Sequence, residues 1–256
     1  MATPAYDVFN LFEKQEKYTV LIADDNYTKN LCYKLRYNIF AKELGASVSL
    51  RKDQLDKDRF DNYCQHLAVF DNRTNDIIAT TRLLNNEGRE KVGSFYSETE
   101  FKLSNIINPD VQFIEVGRTC IHPAYRRGVV LAVLWRAIAD ITSHDNIDYL
   151  IGCASIPLSN GDKYIASVMK HIHEYHYAPE CLRSYPHIPL RLDYELPLAD
   201  DVILPTLLKA YLKQGALICG EPYLDAEFSV ADVFVLLEAS KVIHRYSKSL
   251  IDRVKI

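Results

Sequence analysis

Residues 112–142, QFIEVGRTCIHPAYRRGVVLAVLWRAIADIT, open as a strand and close as a long apolar helix. The strand part, VQFIEVGRTCI (111–121), is apolar and rich in β-branched residues, as a buried sheet position requires. Yet it carries Glu115 and Arg118. The helix, AYRRGVVLAVLWRAIADITSH (124–144), is expected to start at Pro123, whose fixed φ suits a first helical turn. Arg126, Arg127 and Gly128 stand at the junction. A helix start offers unpaired backbone N–H groups and a positive dipole end, so this junction is a candidate anion site. Two solvated arginines at a surface helix would look the same.

Outward from this stretch, the hydrophobic pattern alternates between strand and helix. YTVLIADD (18–25) reads as a strand. YTKNLCYKLRYNIFAKELG (27–45) reads as an amphipathic helix with Leu31, Leu35, Ile39 and Phe40 on one face, stopped by Gly45. Residues 46–61 are polar and read as a loop. YCQHLAVFD (63–71) and DIIATTRLLN (76–85) form an antiparallel hairpin around NRTN. Residues 86–105 mix Gly, Ser and charge around Phe95, Tyr96 and Phe101, with no regular period. DYLIGCAS (148–155) is a strand, DKYIASVMKHIHEYH (162–176) a helix, and a further strand is expected near 189–195. A short helix (204–214), ALICGEP (216–222) and apolar segments reach Tyr246. The order β-α-β-β-β-α-β-α-β implies an α/β fold: a mixed, twisted sheet with helices on both faces.

The bulk composition narrows the class. The chain has 256 residues, 48% hydrophobic and 25% charged, with a net charge of −4. That balance gives no reason to expect nucleic acid as a partner. Six cysteines without a CxxC pair suggest a reducing compartment rather than disulfides or zinc. The N-terminus lacks the pattern of a signal peptide, and no apolar run reaches membrane-spanning length.

A strand, a basic glycine turn and a helix within this element order resemble the GNAT acyltransferase fold. The pyrophosphate signature there is Gln/Arg-x-x-Gly-x-Gly/Ala, whereas this chain has Tyr125-Arg126-Arg127-Gly128-Val129-Val130. Its first and last signature positions differ, which suits a branch that takes acyl chains from acyl carrier protein, with one phosphate to bind. LRYNIFAKELG (35–45), FDNYCQHLAVFD (60–71), ATTRLL (79–84), FYSETEF (95–101), EVGRTCIHPAYR (115–126) and YLIGCASIP (149–157) resemble the acyl-homoserine lactone synthases. They resemble more closely the ornithine N-acyltransferases, which make lyso-ornithine lipid from a 3-hydroxyacyl carrier protein. The tail, 205–237, matches the second family and extends beyond the first. We divide the chain into a GNAT-like core, 18–195, and a C-terminal α/β extension, 196–256, packed on it.

The resemblance implies an enzyme that moves a (3-hydroxy)acyl chain from acyl carrier protein to the α-amine of ornithine, with the phosphopantetheine thioester as co-substrate and no bound cofactor. Glu115 is the candidate general base, since apolar neighbours would raise its pKa. A buried ion pair with Arg118 or Arg82 is the alternative. Arg36, Arg82 and Arg118 match the family's arginines around the acceptor, where one could hold a carboxylate through two parallel contacts. Glu115 and Arg118 lie on opposite faces of a regular strand, and a bulge near Gly117 would bring them to one face. Asp58 and Asp61 belong to an acidic loop over the acceptor, and Phe40 and Phe95 to the acyl tunnel or the core. Arg126, Arg127 and Gly128 would hold the pantetheine phosphate, and Arg126, Arg127 and Arg136 would steer the acidic carrier.

His171, His173 and His176 raise the question of a metal, but 171 does not share a helical face with 173, and we assign none. Docking to membrane or carrier is the expected use of that face. Cys120 and His122 as a nucleophilic pair are disfavoured, because direct transfer needs no covalent intermediate. The alternatives are an acyltransferase for another amino acid, an acyl-homoserine lactone synthase, or a non-catalytic membrane-associated binding protein. The expected location is cytoplasmic, with peripheral contact to the inner membrane left open.

Overall fold

The structure, a computed structural model, describes residues 17–43, 52–126, 129–194 and 202–251. The elements run β1 (Tyr18–Ile22), α1 (Asn26–Tyr37), β2 (Gln65–Asp71), β3 (Asp76–Asn85), α2 (Asn86–Val92), β4 (Phe101–Lys102), β5 (Phe113–Ile121), α3 (Val130–His144), β6 (Tyr149–Pro157), α4 (Asp162–Tyr175), β7 (Tyr185–Pro186), α5 (Thr206–Lys213), β8 (Leu217–Ile218), β9 (Tyr223–Asp225), β10 (Val230–Glu238) and α6 (Ala239–Ile251). The large sheet has the order β1-β2-β3-β5-β6-β10-β8, with β9 on β10. β5 and β6 pair in parallel and the other neighbours antiparallel. The mixed sheet expected from the element order is therefore present, with helices on both faces.

One face carries α3, α4, α5 and α6 over a core that includes Val116, Leu134, Ile138, Ile165, Met169, Leu208 and Val233. The other face carries α1 and a second core around Phe95, Phe101, Phe113, Ile151 and Phe234. Strands buried on both faces explain the near-continuous apolar runs of β5, β6 and β10. β10 lies against the whole length of β6, from Tyr149↔Glu238 to Pro157↔Val230. The chain beyond residue 202 thus supplies strands of the main sheet. The 195/196 division falls outside the described residues, as does Gly45.

Some expectations are corrected. Residues 86–105 contain α2, which the charged sequence hid because its burial is shallow. Asn85 caps it, accepting from the Gly88 amide at 2.9 Å, and Gly93 ends it at φ +99°. Pro123 opens a 3₁₀ turn, Pro123–Tyr125, and α3 begins only at Val130. The turn closes early because the His122 ring accepts from the Ala124 amide, and the Arg126 Nε donates to the Ile121 carbonyl at 3.0 Å. No strand forms at 189–194; Pro189 makes a single bridge to Tyr223. The helix expected at 27–45 ends as α at Tyr37 and continues as a π-helical segment, Asn38–Glu43, which carries Phe40.

β5 departs from regularity at two points that position the site. Against β3 its register is Gly117↔Arg82 and then Cys120↔Thr80, so two residues, Arg118 and Thr119, oppose Thr81 alone. That is the bulge expected near Gly117, and Arg118 takes φ +51° within it. Against β6 the pairing runs only from Phe113↔Tyr149 to Glu115↔Ile151, after which the two strands splay apart. A Cβ on Gly152 would lie 2.5 Å from the Val116 carbonyl oxygen, so the strands need a bare backbone at the point of divergence. A Cβ on Gly117 meets only ordinary contact, 3.5 Å from Arg82. We expect Gly152→Ala to cost about 1–3 kcal/mol through overpacking, with Gly117→Ala well below that. Denaturant titration of the two variants decides it, and equal midpoints would contradict the close approach.

Candidate active site

The carboxylate of Glu115 sits at the last residue that pairs with β6, 4% exposed. Its Oε2 accepts from the Tyr96 amide at 2.7 Å. Its Oε1 accepts from the Ser97 amide at 2.7 Å and the Ser97 hydroxyl at 2.6 Å. Glu115 is therefore held by the first amides of a 3₁₀ turn, Ser97–Thr99, rather than by an arginine. Burial pushes its pKa up, and the Ser97 and Tyr96 donors oppose that without cancelling it. The Cys153 thiol on β6 donates in turn to the Ser97 hydroxyl at 3.4 Å. A line of exchangeable hydrogens thus runs from the half-buried Cys153, beside the splay, to Glu115.

Next to this line lies a network of three arginines and three aspartates. Arg36 on α1, 1% exposed, donates from Nε to Asp56 at 2.8 Å. It grips Asp61 with both terminal nitrogens, at 2.7 and 3.1 Å. Arg82 on β3 donates to Asp58 at 2.7 Å and to Asp61 at 3.0 Å. Arg118 reaches Asp58 at 3.4 Å and Asp56 at 3.6 Å. Burial pushes the Asp61 carboxyl up, but Arg36 and Arg82 together hold it below the usual carboxylate range. Burial likewise disfavours the charge on Arg36, and Asp61 and Asp56 more than restore it.

The three arginines are thus gathered as the sequence suggested, yet they are not equivalent. Arg36 and Arg82 are engaged with aspartates. Arg118 lies between the rings of Tyr96 and Phe228, 4.9 and 4.6 Å from their centroids, and its aspartate contacts are longer: its buried Nε stands 3.6 Å from Asp56 and makes no hydrogen bond. Its left-handed backbone, unfavourable for any side chain other than glycine, aims it there. Phe40 packs edge-on against the same Phe228, whereas Phe95 is fully buried against Phe113.

The turn before α3 keeps Arg126 exposed, and Arg127 and Gly128 lie outside the described residues. Tyr125, at the first position of the altered phosphate signature, donates its hydroxyl to Asp71 at 2.8 Å and packs on Tyr18. That position anchors the turn to β1 and β2. On α4, His173 meets Glu221 at 2.9 Å, and His171 packs against His176. Cys120 is buried beneath Leu35 of α1 and Ile39 of the π-helical segment, and His122 caps the following turn. Sequence reading missed Ser97, Asp56, Phe228 and Cys153. Their signal is spatial, because each reaches the site from a separate segment. The acidic character of 53–61 alone pointed toward Asp56.

A splayed parallel strand pair, with a buried carboxylate at its apex and a helix start beyond it, defines a GNAT-fold acyltransferase. The acetyltransferase (GNAT) domain model matches residues 35–136. The L-ornithine N(alpha)-acyltransferase of Brucella abortus is 30% identical over 247 residues, 89% of this chain and 86% of that one. The enzyme of the same name from Rhodobacter capsulatus is 29% identical over 252 residues, 93% of this chain and 96% of that one. The chain belongs to this family of N-acyltransferases. The CoA-dependent acyl-homoserine lactone synthase BjaI shares the fold, with a TM-score of 0.56 at 12% identity over 91% of this chain and 88% of its own.

The network makes stability depend on pH. The folded pKa of Asp61 lies below its ordinary value of 3.8, so its contribution is complete above that pH and is lost as pH falls toward the folded value. Asp61→Asn leaves buried arginines short of a partner, and we expect a loss of about 3–5 kcal/mol at neutral pH. The variant's stability should also fall less steeply with acid. Chemical denaturation from pH 7 to 3 measures both, and parallel curves for the two proteins would contradict the assignment.

Proposed function

We propose that this N-acyltransferase moves a (3-hydroxy)acyl chain from acyl carrier protein to the α-amine of ornithine, giving lyso-ornithine lipid. The observation that carries the reading is a similarity running through 86–96% of two proteins named for that acceptor. The site is consistent with it. In aminolysis the neutral amine attacks the thioester carbonyl carbon, the C–S bond breaks, and the amine proton leaves as the thiolate gains one. Glu115 takes the amine proton through the Ser97 hydroxyl or an intervening water, and burial, by raising its pKa, strengthens it as a base. Amides of β5 released by the splay face the developing oxyanion. Arg118, with its spare buried donor, holds the acceptor carboxylate.

Arg126, with Arg127 and Gly128, receives the pantetheine phosphate, and the exposed Arg126 steers the acidic carrier. Among the described residues no helix is long and apolar enough to cross a membrane. A lipid product nonetheless fits a peripheral position at the membrane face.

The direct assay incubates the protein with 3-hydroxyacyl carrier protein, or the matching acyl-CoA, and single amino acids, then identifies the product by mass spectrometry. N-acylornithine from the carrier thioester is the expected product. Acylation of a different amino acid, or from CoA alone, would overturn the corresponding part of the reading. Glu115→Gln should lower kcat by about 10²–10⁴, and full activity would remove Glu115 as the base. Arg126→Glu should raise KM for the carrier about tenfold at low salt, with the difference shrinking as salt rises. An unchanged KM would separate this turn from carrier recognition.

A further inference from the structure

Beyond Ser97, on the face of the sheet that carries Glu115, lies a second acidic group. Glu100 follows the 3₁₀ turn, Asp225 ends β9, and Asp232 lies within β10. One carboxylate oxygen from each falls within 4.8 Å of the others. They are 3%, 7% and 4% exposed. Unlike the network at Arg36, this cluster has no arginine hydrogen-bonded to it among the described residues, and the charge of Arg118 reaches only Asp232. Neither oxygen of Glu100 has a donor within hydrogen-bond distance, nor does Oδ1 of Asp232, although Cys153 and Tyr96 lie near enough to Glu100, and Ser155 to Asp232, to oppose the rise in their pKa. Asp225 is fixed by its own turn, where it accepts from the Glu227 and Phe228 amides at 2.8 and 3.1 Å. Buried acceptors with no donor are costly, so their persistence at one point indicates a ligand that brings donors. Burial and then the charge of Asp232 push Glu100 up to about 8, and burial pushes Asp232 up to about 6. A cation at that point would displace the protons.

The chemistry of the cluster fits an ammonium group. It is compact, carries three N–H donors in a fan and brings one positive charge to three acceptors. The position fits an acceptor's side chain. Asp232 lies opposite Ser155, an exposed residue on the part of β6 that has parted from β5. Cys153, which donates to Ser97, also lies close enough to Glu100 to act on its pKa. The Tyr96 ring carries Arg118. The cluster, the line to Glu115 and the guanidinium of Arg118 therefore all adjoin Tyr96, and together they offer groups for an ammonium, an amine and a carboxylate.

We propose that Glu100, Asp225 and Asp232 form the subsite for the side-chain ammonium of the acceptor, and that this triad selects a diamino acid over a neutral one. The proposal rests on the reading of ornithine as the acceptor.

The test compares ornithine with norvaline, which lacks only the terminal amine, in full-length wild type, Glu100→Gln and Asp232→Asn, using the acyl carrier thioester. Wild type should prefer ornithine. In each folded variant the ratio of kcat/KM for ornithine over norvaline should fall about tenfold or more, the scale of one lost charged hydrogen bond. Thermal melts identify a variant that fails to fold, in which case the other variant decides. A wild type without preference overturns the proposal, as does a ratio unchanged in the folded variants or an equal loss on both substrates. Activity abolished by EDTA and restored by Mn²⁺ or Ca²⁺ would reassign the triad to a metal and also overturn it. A wild type that makes no acylornithine would sink the functional reading and this proposal together, whereas ornithine acylation with an unchanged ratio sinks this proposal alone.

Discussion

The parting of β5 from β6 after Glu115 is the constraint on which the site depends. Parallel strands normally continue their ladder, because every unpaired backbone group inside a protein carries a cost. Here the cost is met on either side. β6 keeps its full length of pairing with β10, and β5 keeps β3 through a bulge. Gly152 sets the apex of the gap by letting Val116 come close. β10 arrives late in the chain, yet without it the freed half of β6 would have no partner. The opening between β5 and β6 is thus a property of the whole sheet.

Charge is distributed around that cleft in two unlike ways. Three arginines meet three aspartates in a balanced and largely buried network, whose geometry includes a bidentate grip on Asp61. Such a network rigidifies what it ties together, here α1, β3, β5 and the segment 56–61. On the far side of Tyr96 the acidic residues outnumber the cations among the described residues, and the oxygens of Glu100 and one of Asp232 have no donor within hydrogen-bond distance. Arg118 stands between the two, held by aromatic rings and a bulge in an unfavourable backbone conformation. An unbalanced group that stays buried beside a balanced one is what a site for a charged small molecule requires.

Much of this was legible in the sequence. The apolar periods gave β2, β3, β6 and α4 within a residue or two. The conflict of Glu115 and Arg118 with a buried strand pointed to the bulge. The hairpin signal NRTN held because Asp71 and Asn75 satisfy a local turn, with Asn75 at φ +59°. Other features were hidden because they depend on distant segments. Nothing near Glu115 announces that its partners are the amides of 96 and 97. No local pattern tells that the tail re-enters the sheet beside β6, or that Asp225 and Asp232 face Glu100. The start of α3 was misread because proline signals a turn start without specifying 3₁₀ or α, and the side chains of His122 and Arg126 decide between them.

The most direct test of this account is a crystal structure of the protein with a stable acyl-phosphopantetheine thioether. The account requires the arm to pass between β5 and β6, with its acyl carbon beside Ser97 and Cys153 and its phosphate at the turn before α3. An arm bound elsewhere, with the two strands zipped together past Glu115, would contradict it.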